Sequence, residues 1–178
     1  MKSIRELCGV VLAAATVFGL HGQAEARVAE QTNFSAEDAG VRHPVVIPAE
    51  VMDLLAGDAM VKRAAEYEHV PLNRLPSSWF SASTIHLGSG KKADLIVAAE
   101  GPLAGANVDV FWVFVRTSDG YRLALMNPAH DLDIRKRRSH GYRDIRTLSA
   151  TASAVTTVNF KFDGAVYREA SARTETIR

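Results

Sequence analysis

The chain has 178 residues, with 21 Lys or Arg against 20 Asp or Glu, so its net charge at pH 7 is +1 when the histidines are neutral. This balance excludes the broad basic surface that unspecific binding to nucleic acid or to an anionic membrane requires. The length is sufficient for one domain with a hydrophobic core of its own.

The first 26 residues have the parts of a secretory signal peptide. A basic start precedes an apolar run over 7–20, and small residues predict cleavage after Ala26. The apolar run is shorter than the roughly 20 residues that span a bilayer. We therefore expect an exported protein, periplasmic or secreted, without a membrane anchor after cleavage. A flexible leader over 27–44 and a single domain over 45–178 are predicted to follow.

The only cysteine, Cys8, lies inside the predicted signal peptide. A mature chain without thiols has no cysteine nucleophile, no disulfide and no zinc site built on thiolates. His130, Asp131 and Asp133 come nearest to a metal-binding pattern, but neighbouring residues of a strand point to opposite faces. We predict neither a metal nor a cofactor.

Residues 49–67 have the pattern of one amphipathic helix, because their apolar residues recur at steps of three and four. Pro48 suits the first helical turn. Gly57 in the middle costs about 1 kcal/mol relative to alanine, so packing against the rest of the domain must hold the helix.

From residue 79 onward the apolar pattern has a period of two, which predicts β-strands. Glycine, proline, asparagine and aspartate at the breaks predict turns that are too short for crossover helices, so the strands should pair antiparallel. The predicted strands cover 79–87, 94–99, 108–116, 121–127, 132–137, 142–148, 155–162 and 166–168. The expected fold class is α+β, with one N-terminal helix packed on a mainly antiparallel meander sheet of seven or eight strands.

Two of these strands have informative faces. Strand 108–116 is apolar on both faces, which predicts a central position covered on both sides. Strand 132–137 has Leu132 and Ile134 on one face and charged residues on the other, which predicts one face in contact with water.

The stretch "IHLGSGKKADLIVAA", residues 85–99, is a predicted hairpin whose turn has the spacing of a calcium loop. It resembles the D-x-N-x-D-G-x-x-D-L motif of FG-GAP and VCBS-like repeats, in which acidic and amide oxygens bind Ca²⁺. Only Asp94, at the last ligand position, keeps a carboxylate, whereas Ca²⁺ takes six to eight oxygens. We expect Asp94 to accept hydrogen bonds from backbone N–H groups of the turn.

A weaker match to this motif, "HGYRDIRTL", predicts a similar structural role in a turn for Asp144. The order of strand and turn signatures from "LPSSWF" to "FKFDGAVY", over residues 72–168, resembles a set of small secreted bacterial proteins, commonly uncharacterised. That resemblance implies a stand-alone exported β-rich domain and carries no established catalytic residues. A vestigial calcium-binding repeat domain is one alternative for the function.

The densest charge run in the sequence covers 135–138 and consists of Arg and Lys only. Arg135 and Arg137 share one face of the predicted strand, and the neighbouring strand adds Arg143. These guanidinium groups predict a positive patch that binds carboxylate or phosphate groups. The alternative is an edge strand whose charges prevent aggregation.

The loop 100–107, "EGPLAGAN", is the longest irregular stretch between the predicted strands. Long loops on a rigid β scaffold often contact partners. We therefore include Glu100, Leu103 and Asn107 among the candidate binding residues, with Leu103 as an apolar anchor.

The leading hypothesis for function is an exported, periplasmic, non-enzymatic binding domain that recognises a protein or cell-envelope component. An inhibitor or immunity protein of a cell-wall hydrolase is one form of it. The alternative is a small envelope hydrolase that uses Glu100, Asp109 or His130 for acid and base chemistry.

Overall fold

The computed structural model of the protein describes residues 29–37, 40–90 and 92–177. The predicted signal peptide lies outside these residues. No helix among them is both long enough and apolar enough to cross a membrane. The elements follow one another in the order β1 (Asn33–Ser35), α1 (Ala49–Ala56), α2 (Ala59–Tyr67), β2 (Phe80–Ile85), β3 (Asp94–Ala99), β4 (Asp109–Arg116), β5 (Tyr121–Ala129), β6 (Asp131–Ser139), β7 (Tyr142–Ala150), β8 (Ala154–Phe162) and β9 (Tyr167–Thr176).

The strands form two antiparallel sheets, one with the order β1-β6-β7-β8-β9 and one with the order β2-β3-β4-β5. Only His130 separates β5 from β6, so the chain passes from the smaller sheet into the larger one at a single residue. The prediction of a β-rich, antiparallel structure is confirmed.

The predicted fold class, one N-terminal helix on a single meander sheet of seven or eight strands, is wrong. The described residues form nine strands in two sheets and two short helices, which follow β1. The predicted helix is divided at Asp58, whose Oδ1 accepts a hydrogen bond from Met60 N at 2.7 Å and so begins a second helix. The division into two sheets escaped prediction because a period of two shows strands without showing which strands share a sheet.

The smaller sheet lies in the middle of the molecule, with the helices on one face and the larger sheet on the other. Ile96 and Phe111 belong to the core between the sheets, whereas Val97 and Trp112 belong to the core beneath the helices. This two-sided burial explains why β4 is apolar at consecutive positions. Its predicted central position is confirmed.

Strand β1 lies within the segment 27–44, which was expected to be a flexible leader. Phe34 of β1 pairs with Leu132 of β6, and its side chain is fully buried between the sheets. An aromatic side chain there removes a large apolar area from water, which is sufficient reason for so short a strand to dock.

Candidate functional site

The candidate site begins with an irregularity in β6. Between Ile134 and Arg138, the three residues 135–137 lie opposite a single residue of β7, Asp144. Extra residues on one strand of a pair bend that strand and redirect its side chains. The densest charge run of the sequence therefore bulges out of the sheet.

Arg143 holds this bulge in place. Its Nε donates to Arg135 O at 2.9 Å, its Nη2 donates to Ile134 O at 3.1 Å, and its Nη1 donates to Glu30 Oε2 at 3.1 Å. The side chain is only 13% exposed. Of the three arginines predicted to form a patch, the structure therefore places Arg143 inside the fold as a support for the other two.

Arg135 and Arg137 border a depression on the outer face of the larger sheet, which we call the basic groove. Its volume is about 460 Å³, within the range of roughly 300–1,000 Å³ of pockets that hold small molecules. The groove crosses β6 to β9 and is lined by Arg135, Arg137, Asp144, Asn159, Lys161, Ala170 and Ser171. Three cationic side chains thus surround one carboxylate.

Asp144 occupies an unusual position in this groove. The residue is 6% exposed, and its Oδ1 receives no hydrogen bond from any residue that the structure describes. Its Oδ2 lies 3.6 Å from Nε of Arg137, which is longer than a hydrogen bond. A buried acceptor without a donor costs about 1–3 kcal/mol, so such a group in a native fold calls for an explanation. Asp144 lies within β7, as the predicted strand 142–148 has it, but its Oδ1 does not accept the hydrogen bonds that a structural role in the turn predicts.

Polar contacts also connect side chains on the larger sheet beside the groove and across it. Nε of Arg146 donates to Asp133 Oδ2 at 2.9 Å, and Asn33 Nδ2 donates to the other oxygen of Asp133 at 2.7 Å. On the opposite side of the groove, Nδ2 of Asn159 donates to Ser171 Oγ at 3.1 Å. This outer face of the larger sheet is polar and hydrogen-bonded. The alternation along β6 predicted a polar face for the residues of that strand.

A second depression of about 440 Å³ lies on the other side of the bulge, with Arg135 and Arg137 again in its lining. There the edge of β6 is paired only as far as Ile134, whose N–H donates to Thr32 O at 2.7 Å. Beyond Ile134, no strand among the described residues pairs with this edge of β6. The charge run over 135–138 therefore lies on an unpaired edge of the larger sheet. This is the arrangement required by the alternative hypothesis, in which the charges of an edge strand prevent aggregation.

The loop 100–107 lies away from the basic groove. Leu87 O accepts from Arg143 N near the beginning of β3, whereas Glu100 follows the end of β3, roughly 20 Å along the strand. Glu100 and Asn107 are exposed, but Leu103 is only 6% exposed and packs in the core beneath the helices. The candidate residues therefore fall into two separate regions, and Leu103 has little surface to offer a partner.

Glu100 and Asp109 form a pair of carboxylates at that end of the smaller sheet. Burial raises the pKa of Glu100, and the charge of Asp109 raises it further. Burial likewise raises the pKa of Asp109, and a hydrogen bond from the backbone of Gly105 opposes this effect. His130 follows Ala129, the residue opposite Asp109, and its Nδ1 accepts a hydrogen bond from Ala150 N at 3.1 Å.

Asp94 organises the turn that resembles a calcium loop. Its Oδ2 accepts from Leu87 N at 2.9 Å, and its Oδ1 accepts from Arg116 N at 2.8 Å. Both oxygens are therefore engaged by backbone N–H groups. Among the described residues, no group of three or more His, Cys, Asp or Glu is placed to hold a metal ion.

Four residues of the basic groove were not among the candidates predicted from the sequence, namely Asn159, Lys161, Ala170 and Ser171. Asn159 and Lys161 alternate with apolar residues along the predicted strand 155–162, but nothing in the sequence placed them in one groove with residues of β6. Ser171 lies beyond the short strand predicted over 166–168, whereas β9 continues to Thr176.

Comparison with protein-family models, with curated proteins and with solved structures finds no match to this chain.

Proposed function

We propose that this protein is an exported, periplasmic, non-enzymatic binding domain that recognises an acidic protein or cell-envelope component through the basic groove. The observation that carries the proposal is the cluster of Arg135, Arg137 and Lys161 around a groove of about 460 Å³. Arg143 supports the bulge that presents two of these cations. Guanidinium groups bind carboxylates and phosphates with charge-assisted hydrogen bonds.

The predicted signal peptide supports the location in the envelope, where acidic polymers and cell-wall hydrolases are both available as ligands. An inhibitor or immunity protein of a cell-wall hydrolase is one form that such a binding domain takes. The groove supports binding rather than catalysis because its titratable groups are cations around a single carboxylate.

The test compares the purified protein with the double variant Arg135→Ala/Arg137→Ala in capturing partners from envelope extract at low salt. We expect the variant to retain less than a tenth of the partner that the wild type retains. The matched control, Arg63→Ala/Arg74→Ala, removes the same charge from exposed positions in the helical layer and should retain all of it. Equal retention by wild type and groove variant would refute the proposal.

A small envelope hydrolase is the second candidate, favoured by the raised pKa values of Glu100 and Asp109. Carboxyl groups whose pKa is raised serve as general acids. Turnover of peptidoglycan fragments by the purified protein, abolished by Glu100→Gln, would establish this function in place of the first.

A further inference from the structure

The basic groove offers two kinds of polar group to one ligand. Arg135, Arg137 and Lys161 offer positive charge, whereas Asp144 offers an acceptor oxygen that receives no hydrogen bond from the described residues. A ligand with carboxylates alone would meet repulsion from Asp144 and leave that oxygen unpaired. A ligand with hydroxyl groups alone would leave the cations without a counter-ion.

We propose that the groove binds a hydroxylated carboxylate, of the kind that the uronic acid units of an acidic polysaccharide present. The ligand's carboxylate binds the cationic side chains, and a neighbouring hydroxyl group donates to Asp144 Oδ1. This proposal rests on the proposed function, because it takes the basic groove as the recognition surface and specifies what the surface recognises.

A saccharide fits the lining better than a segment of a protein partner does. Protein interfaces rely on aromatic or large apolar anchors in their centre. Among the residues that the structure describes, Ala170 is the only apolar one in the lining of the groove. Sugar acids, by contrast, carry donors, acceptors and charge over their whole surface, which suits the amide of Asn159 and the hydroxyl of Ser171.

Access to Asp144 Oδ1 requires that a side chain of the groove move, because this oxygen is buried. Arg137 is suited to this movement. Its side chain is 74% exposed, and its Nε is 3.6 Å from Asp144 Oδ2, too far for a hydrogen bond. A ligand carboxylate that takes Arg137 in a bidentate pair draws it outward and leaves Asp144 to the ligand hydroxyl.

The experiment is calorimetric titration of the purified protein with three probes at low salt. Trigalacturonate carries carboxylates and hydroxyl groups, galactotriose carries hydroxyl groups only, and tricarballylate carries carboxylates only. We expect trigalacturonate to bind at least tenfold more tightly than either of the others. If tricarballylate binds as tightly as trigalacturonate, charge alone governs the groove, and the inference is overturned while the proposed function stands.

The variant Asp144→Asn tests the acceptor directly. We expect the preference for trigalacturonate over tricarballylate to fall about tenfold, since the repulsion of plain carboxylates disappears along with the charged acceptor. Asp131→Asn, a matched change on the neighbouring strand β6 outside the groove lining, should keep the wild-type preference. An unchanged preference in Asp144→Asn overturns the inference. The preference is the ratio of two affinities measured on the same protein, so a loss of stability in the variant does not by itself change it. The titration of the wild type tests the inference independently of the variant.

Discussion

Two buried aspartates in this protein differ in their hydrogen bonding. Asp94 accepts backbone N–H groups with both carboxylate oxygens, whereas Oδ1 of Asp144 accepts from none of the described residues. A satisfied buried carboxylate stabilises the fold, and an unsatisfied one destabilises it unless a ligand or solvent supplies the donor. We therefore assign a structural role to Asp94 and a role in ligand recognition to Asp144.

Asp94→Ala should lower the free energy of unfolding by about 3 kcal/mol, because the N–H groups of Leu87 and Arg116 lose their acceptor in a buried place. Urea denaturation measures this difference. The control Asp119→Ala, at an exposed turn, should change stability by less than about 0.5 kcal/mol. A loss below about 1 kcal/mol for Asp94→Ala would contradict the assigned role.

At the scale of elements, the decisive feature is the bulge of β6 opposite Asp144. A regular pairing of β6 with β7 would set one residue against Asp144, and the bulge sets three there. Arg143 makes this possible because its guanidinium group supplies donors to the carbonyl groups of Ile134 and Arg135. The positive patch is thus a product of strand geometry as well as of composition.

Arg143→Ala should destabilise the protein by about 2 kcal/mol, since two hydrogen bonds to the bulge are lost. Arg135→Ala/Arg137→Ala should stay within about 0.5 kcal/mol of the wild type, because both side chains are exposed. Urea denaturation of the two variants side by side checks this contrast. Equal stability of Arg143→Ala and wild type would show that the bulge holds without its support.

At the scale of the whole molecule, two cores share the smaller sheet, with helices on one face and the larger sheet on the other. Packing of this sheet also brings Glu100 and Asp109 together at one end, where burial raises the pKa of both. Their ordinary pKa values of 4.5 and 3.8 apply when the chain is unfolded. The folded state therefore disfavours their ionised forms.

This pair gives the stability of the molecule a dependence on pH. Below the unfolded pKa values both states are protonated, so the pair contributes nothing. As pH rises above about 4, the folded state resists ionisation and loses stability relative to the unfolded chain. Glu100→Gln/Asp109→Asn should therefore melt at a higher temperature than the wild type at pH 7 and at the same temperature near pH 3. Equal melting temperatures at pH 7 would contradict this expectation.

The sequence by itself determined where β2 to β8 lie and which faces of β4 and β6 are apolar, because alternation and turn residues act over a few neighbouring positions. It missed β1 and most of β9. It also marked Arg135 and Arg137 as neighbours on one face, since a strand has a period of two. Only the tertiary structure decided that β5 and β6, on either side of His130, belong to different sheets. It also decided that residues of four strands, from Arg135 to Ser171, line one groove. The physical reason is that sheet partners and bulges depend on packing between segments far apart in the chain, which no local pattern records.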